Sequence, residues 1–174
     1  MRIGILTVSD RSARGERPDA AAPLIAALLT ESFPGCQIAR TAIVPDERDQ
    51  ISACLIAWSD EDGVDVIFTT GGTGFAPRDV TPEATRSVIE REAPGLAEAM
   101  RAAGLRQTPH AMLSRGICGL RGRTLIVNLP GSPGAVRDSL AVIQPVLPHA
   151  IALLRDAPDT EAGHTLPAQP DPGS

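Results

Sequence analysis

Four short runs of apolar and β-branched residues punctuate this chain, and each runs into a polar or glycine- and proline-rich turn. They are Arg2 to Val8, Gln37 to Val44, Val66 to Thr70 and Arg123 to Leu129. Three of them are nearly continuous in apolar character, which predicts strands covered on both faces. The run at Gln37 to Val44 is more broken, with apolar positions at Ile38, Ala42, Ile43 and Val44. Between the runs the apolar positions recur at helical spacing. Ala20 to Glu31 predicts one helix, ended by Pro34-Gly35, and Ile51 to Ser59 predicts another through Ile51, Cys54, Leu55 and Trp58. Thr85 to Glu92 and Leu96 to Leu105 read as two helical pieces split by Pro94-Gly95, with Thr108-Pro109 closing the second. Ala135 to Arg155 predicts a last helix, kinked near Pro145 and Pro148. The glycine-spaced stretch Gly116, Gly119, Gly122 fits a short hairpin or an irregular edge strand. Strands alternating with helices predict an α/β protein with a mainly parallel sheet and no internal repeat.

The turns carry the chemistry. In Asp65 to Glu83 a buried strand runs into Gly71-Gly72-Thr73-Gly74, where missing Cβ atoms let successive N–H groups face an anion. No Lys follows Gly74, so the loop is not the P-loop of kinases and ATPases. Thr81-Pro82-Glu83 reads as N-cap, first helical residue and first-turn acid, which places Arg78 and Asp79 at the loop's mouth. The polar cluster Ser9 to Asp19 reads as a loop at the carboxyl end of the first strand, and Pro45-Asp46-Glu47 leaves the second in the same way. In open α/β sheets ligands bind at that edge. Ser9, Asp10 and Arg11 therefore either line a pocket or only cap and turn. Asp46 and Asp79 each follow a strand, so adjacent strands would let both carboxylates face one Mg²⁺–phosphate group. Two unrelated solvated acids fit the spacing equally well. Pro130-Gly131-Ser132-Pro133-Gly134 supplies a second turn, with Ser132 as N-cap and Pro133 at the first helical position.

Composition narrows the partners. The 174 residues suit one domain over residues 1–155, followed by a tail, 156–174, whose Pro, Gly and polar content predicts disorder. A formal charge of −5 argues against a general nucleic-acid binder. The sequence contains no Lys, which excludes Schiff-base chemistry and a catalytic Lys. Cys36, Cys54 and Cys118 are odd in number and scattered, so they support neither a disulfide framework nor a zinc site. His110, His149 and His164 are equally dispersed and read as surface or helix-end positions. The N-terminal apolar run is shorter than a signal-peptide core, and no run reaches the roughly 18 apolar residues of a membrane span. A cytoplasmic protein is expected.

Six ordered motifs carry a family resemblance: Thr7-Val8-Ser9-Asp10, Val44-Pro45-Asp46-Glu47, Thr70-Gly71-Gly72-Thr73-Gly74, Pro77-Arg78-Asp79-Val80-Thr81-Pro82-Glu83-Ala84, Leu113-Ser114-Arg115 and Asn128-Leu129-Pro130-Gly131. Together they resemble the molybdopterin adenylyltransferase family, the MogA type of bacteria and the G domain of plant and animal two-domain proteins, over residues 2 to 155. The resemblance implies a three-layer α/β/α fold, commonly a homotrimer. The implied reaction transfers AMP from ATP to the terminal phosphate of molybdopterin with Mg²⁺ and releases pyrophosphate. A molybdate-insertion protein, which takes the product, is the implied partner. Asp46 and Asp79 match the family's two essential acids and the implied metal ligands, and Gly71, Gly72, Thr73 and Gly74 match its ligand-cradling loop. Ser114 and Arg115 match a segment near the pterin. Ser9, Asp10, Arg78, Asn128, Pro130 and Gly131 complete the expected substrate site, with Arg78 either on phosphate or paired with Asp79.

The chain departs from the family pattern in its first loop. Asp19-Ala20-Ala21-Ala22-Pro23 stands where many members have Asp-x-Ser-Gly-Pro, which removes a hydroxyl and some backbone freedom. Two other readings compete. A non-catalytic molybdopterin-binding relative would have a degraded second acidic motif, and here Arg78 to Glu83 is intact. A molybdate-insertion protein sharing this domain would carry large extra domains, for which 174 residues leave no room.

Overall fold

The computed structural model describes residues 1–155; the tail expected from residue 156 onward lies outside the described residues. Six strands form one sheet in the order β2-β1-β3-β6-β5-β4. They are β1 (Arg2–Val8), β2 (Gln37–Val44), β3 (Val66–Thr70), β4 (Arg91–Glu92), β5 (Cys118–Arg121) and β6 (Thr124–Leu129). The pairs β2–β1, β1–β3 and β3–β6 are parallel, while β6–β5 and β5–β4 are antiparallel. The helices are α1 (Asp10–Ala13), α2 (Ala21–Ser32), α3 (Arg48–Asp60), α4 (Thr81–Arg86), α5 (Pro94–Leu105), α6 (Pro133–Ile143) and α7 (Leu147–Leu154).

Alternation along the strands builds three layers. Ile3, Ile5, Val66, Phe68, Leu125 and Val127 point to one face and pack with Ile25 and Leu29 of α2, Met100 of α5, Leu140 of α6 and Ile151 of α7. Leu6, Val8, Ile67 and Ile126 point to the other and pack with Ile51, Leu55 and Trp58 of α3 and Ala84 of α4. All of these strand residues are fully or almost fully buried, as their continuous apolar character predicts. Thr124 and Asn128 are the buried polar residues of β6, and Asn128 is the one near its carboxyl end. Its amide donates to Thr69 and Thr85 at 3.0 and 2.9 Å and accepts from the Ile117 N–H, so the buried group is satisfied.

Three expectations change. The segment 85–92 is not one helix: α4 stops at Arg86, and Arg91–Glu92 joins the sheet edge, where Glu90 N–H donates to Leu120 O and Ala93 N–H to Cys118 O, both at 2.8 Å. Pro94 begins α5 instead of separating two helices, because a missing N–H costs nothing in a first turn. Ser9 to Asp19 is not all loop, since Ser9 caps the single turn α1 by accepting from Ser12 N–H. The glycine-spaced stretch forms the β5–β6 hairpin, and the last helix breaks into α6, a 3-10 turn at Gln144–Val146, and α7. The three cysteines are free, and burial pushes the Cys118 thiol up to about 12. His110 is exposed, His149 half-buried, and His164 lies outside the described residues.

Candidate active site at the carboxyl edge of the sheet

The register brings four strand ends side by side. Val8 pairs with Val44, Thr7 with Thr70, and Thr70 with Leu129. The segments that follow therefore emerge at one edge: Ser9-Asp10, Pro45-Asp46-Glu47, Gly71 to Asp79, and Pro130-Gly131. The connection from β1 crosses one face through α2, and the connection from β2 back to β3 crosses the other through α3. This divergence opens the crevice in which α/β sheets bind ligands. A cavity of about 120 Å³ sits there, lined by Thr7, Ser9, Asp19, Gly71 and Gly131 among others.

Two glycines shape the loop after β3. Gly71 has φ +97°, and a Cβ there would stand 2.2 Å from the Val8 carbonyl oxygen. Gly72 has φ +61°, and its Cβ would stand 2.4 Å from Thr81 Oγ1 and 3.0 Å from Asp46 Oδ1. The two turns meet, since a Cβ on Gly131 would lie 3.4 Å from Gly71 Cα. Thr81 does not act as a side-chain N-cap, as expected of it; its hydroxyl donates to Gly71 O at 2.9 Å and ties helix α4 to the loop. Thr73 is buried.

Asp46 and Asp79 flank this loop. Asp46 Oδ2 accepts from Asp10 N–H at 2.8 Å, and Asp10 Oδ1 accepts from Asp46 N–H at 3.1 Å, which interlocks the first two segments. That leaves Asp46 Oδ1 on the side of Gly72. Burial pushes the Asp46 carboxyl above its usual range, and the negative charges of Asp10 and Asp79 push the same way. Asp79 Oδ2 accepts from Ala76 N–H at 2.9 Å and lies 2.9 Å from where a Gly74 Cβ would be. Among the described residues no group of three or more His, Cys, Asp or Glu is placed to hold a metal. Two hard carboxylates beside the glycine loop nevertheless have the donor chemistry of Mg²⁺ ligands, since Mg²⁺ takes one or two protein carboxylates and completes its shell with other oxygens.

Arg78 and Arg115 are already engaged. Arg78 pairs with Asp10 through two 2.8 Å bonds and with Glu47 at 2.9 Å, not with Asp79. The Arg78 bond holds the Asp10 carboxyl below its usual range despite some desolvation. A phosphate reaching Arg78 has to compete with two carboxylates. Arg115 is a brace: its backbone N–H donates to Thr73 O and its Nε to Gly74 O at 2.9 and 2.7 Å, and its guanidinium binds Asp79 O and Glu83. Ser114 lies beside it and lines a small apolar cavity with Asn128 and Pro130 on the α5–α6 side. The structure thus gathers Ser9, Asp10, Asp46, Gly71 to Gly74, Arg78, Asp79, Pro130 and Gly131 at one edge, joins Ser114 and Arg115 to it through the loop, and sets the Asn128 side chain beneath it at 2 % exposure.

Sequence reading named Asp19 only as the end of the polar cluster and the start of the departing first loop, and gave it no place in the site. The Asp19 carboxylate accepts from Ala21 and Ala22 N–H, which caps α2, and from Thr7 Oγ1 at 2.6 Å. An Asp just before a helical period is an N-cap signal that could have marked it. Glu47, the second partner of Arg78, had no such signal.

The fold and this edge define an α/β protein with an acid-flanked glycine-loop crevice at a sheet switch point. A family model described as a probable molybdopterin binding domain matches residues 4–149, and the chain belongs to that family. It is 41 % identical over 154 residues to the molybdopterin adenylyltransferase of Helicobacter pylori strain J99, with 88 % of each chain covered. It is 47 % identical to the molybdenum cofactor synthesis protein cinnamon of Drosophila melanogaster over 88 % of this chain, which spans 26 % of that longer protein. The crystal structure of the molybdopterin biosynthesis enzyme MoaB from Thermus thermophilus superposes with a TM-score of 0.83 at 54 % identity, covering 90 % of this chain and 98 % of that one.

Proposed function

We propose that the chain is a molybdopterin adenylyltransferase of molybdenum cofactor biosynthesis, which transfers AMP from ATP to the terminal phosphate of molybdopterin. The observation that carries the proposal is the placement of the Asp46 and Asp79 carboxylates on the flanks of the Gly71 to Gly74 loop. In the proposed reaction a phosphate oxygen of molybdopterin forms a bond to the α-phosphorus of ATP while the bond to pyrophosphate breaks. The task is to bring two anions together in line, so it is met by positioning and charge neutralisation. Neither carboxylate has to act as a base, because a phosphate monoester is largely ionised at pH 7. Asp46 and Asp79 would hold Mg²⁺, which neutralises phosphate charge when bound. The backbone of Gly71 to Gly74 and of Pro130-Gly131 supplies the anion-facing turns, and Ser9, Asp10, Arg78, Ser114 and Arg115 border or brace them.

Incubating the purified protein with molybdopterin, ATP and Mg²⁺ should give adenylyl-molybdopterin and pyrophosphate in equal amounts. Release of pyrophosphate without the adenylylated product, or no product at all, would contradict the proposal. Intact acids at 46 and 79 favour the enzyme over a non-catalytic molybdopterin-binding relative. A homotrimer working in the cytoplasm, with a molybdate-insertion protein receiving the product, is part of the same proposal and rests on the family resemblance. Among the described residues no helix is long and apolar enough to cross a membrane. Light scattering should return about three times the 18.2 kDa chain mass; a mass near 18.2 kDa would remove the trimer.

A further inference from the structure

Aromatic side chains are scarce in this chain, with three Phe, one Trp and no Tyr. Three of the four serve the core: Phe68 is fully buried, Trp58 is 8 % exposed, and Phe33 packs against the main cluster. Phe75 is the exception at 68 % exposure, and it stands one residue beyond the glycine loop. An exposed aromatic on a mobile loop would mean little. This loop is braced on both sides of the ring. Asp79 N–H donates to Ala76 O and Ala76 N–H to Asp79 Oδ2, both at 2.9 Å, while Arg115 holds Gly74 O and Asp79 O. The ring is presented to solvent by a fixed backbone, which is how a contact surface is preorganised at low entropic cost.

It also forms a wall. An open cavity of about 420 Å³ is lined by Phe75, Pro77 and Val80 on its apolar side and by Asp79, Glu83 and Arg115 on its polar side. That volume falls within the range that small-molecule sites occupy. Two carboxylates and an arginine that is already paired make it a poor place for phosphate. A Glu83 side chain left 41 % exposed can, however, accept a hydrogen bond from an exocyclic amino group. Asp79 belongs to this cavity and to the acid pair beside the glycine loop, so the two sites are contiguous. A ligand with phosphate at one end and a flat amino-substituted ring at the other would span them.

We propose that Phe75 is the stacking platform for the nitrogen heteroaromatic ring of a substrate bound with its phosphate at the Gly71 to Gly74 loop. The proposal rests on the function proposed above, whose two reactants each carry such a ring: the purine of ATP and the pterin of molybdopterin. Stacking on an aromatic face is lost on truncation to Ala and preserved by a larger ring, with an effect on the order of tenfold in affinity.

The test is calorimetric binding to the full chain, without turnover, using ATP, molybdopterin and inorganic tripolyphosphate, which has the phosphate chain and no ring. The variants are Phe75→Ala, Phe75→Leu and Phe75→Trp, with light scattering on each. At 68 % exposure none of these changes removes core packing. The expected result is that Ala and Leu weaken one ring-bearing ligand about tenfold, Trp retains its affinity, and tripolyphosphate is unaffected; the ligand that weakens identifies the ring. Equal weakening of ATP and tripolyphosphate, or no weakening of either ring-bearing ligand, overturns the proposal. So does a change in oligomeric mass with Phe75→Ala, which would make the ring a contact between copies of the chain. Because binding is read without transfer, a wild-type protein that fails to adenylylate sinks the proposed activity and leaves this result independent.

Discussion

Gly71 is the residue at which the sheet becomes the site. Its φ of +97° turns the chain out of β3, and the Val8 carbonyl lies where a Cβ would have to go. Gly63 offers a control, since it has φ +59° with open space around its missing Cβ. Gly63→Ala should cost about 1 kcal/mol of stability, the strain of the left-handed region alone. Gly71→Ala adds a clash with backbone that cannot swing away, and should cost on the order of 3 kcal/mol or more. Urea unfolding of the two variants measures the difference, and equal midpoints would show that the Val8–Gly71 contact relaxes at no cost. Gly72 is held in the same way but by side chains, Thr81 and Asp46, so a substitution there should disturb the acid before it disturbs the fold.

At the scale of elements, helix α4 and the loop before it are locked together by Arg115 and Glu83. Burial raises the Glu83 carboxyl, and the hydrogen bond and charge of Arg115 outweigh it, leaving the group below its ordinary value of 4.5. A carboxyl depressed in the folded state contributes stability that is fully present above its unfolded value and is lost as pH falls through the folded one. Glu83→Gln should therefore lower the melting temperature at neutral pH, and its gap to the unchanged protein should close as pH falls below about 4.5. A gap that stays constant into acid would mean that Glu83 stabilises through packing instead of charge. The strands and most helices were legible from local pattern because burial on both faces writes itself as continuous apolar runs. The edge strand at Arg91–Glu92 was not, since it is tied in by hydrogen bonds from Glu90 and Ala93 to Leu120 and Cys118, far along the chain. The same limit hid the arginine partners. Arg78 stands next to Asp79 in sequence yet binds Asp10, 68 positions away, because the register of β1 and β3 decides which loops meet. Asp46 and Asp79 were legible as candidates from their turns, whereas their placement around one loop needed the sheet order.

At the scale of the whole molecule, the amino edge of the sheet is closed by a second acid that has no part in the site. Asp65 has a side chain 9 % exposed, accepts from Arg2 N–H, and receives both nitrogens of a guanidinium fork from Arg155 at the end of α7. Arg155→Ala leaves that acceptor short of partners and should cost about 1–3 kcal/mol in unfolding free energy while adenylyl transfer at 25 °C is unchanged. A loss of transfer without a loss of stability would place this end of the molecule in the mechanism. Removal of residues 156–174, which keeps Arg155, should change neither melting temperature nor transfer, because their composition offers little apolar surface to bury. The opposite edge carries the central claim, that Asp46 and Asp79 act together on the phosphates across one glycine loop. Single-turnover AMP transfer by Asp46→Asn and Asp79→Asn, read beside molybdopterin binding and the melting temperature of each variant, tests it most directly. Each variant should remain folded and bind molybdopterin within a few-fold of the unchanged protein, while transfer falls on the order of 10²-fold or more. Near-normal transfer by either variant at saturating Mg²⁺ would contradict the claim.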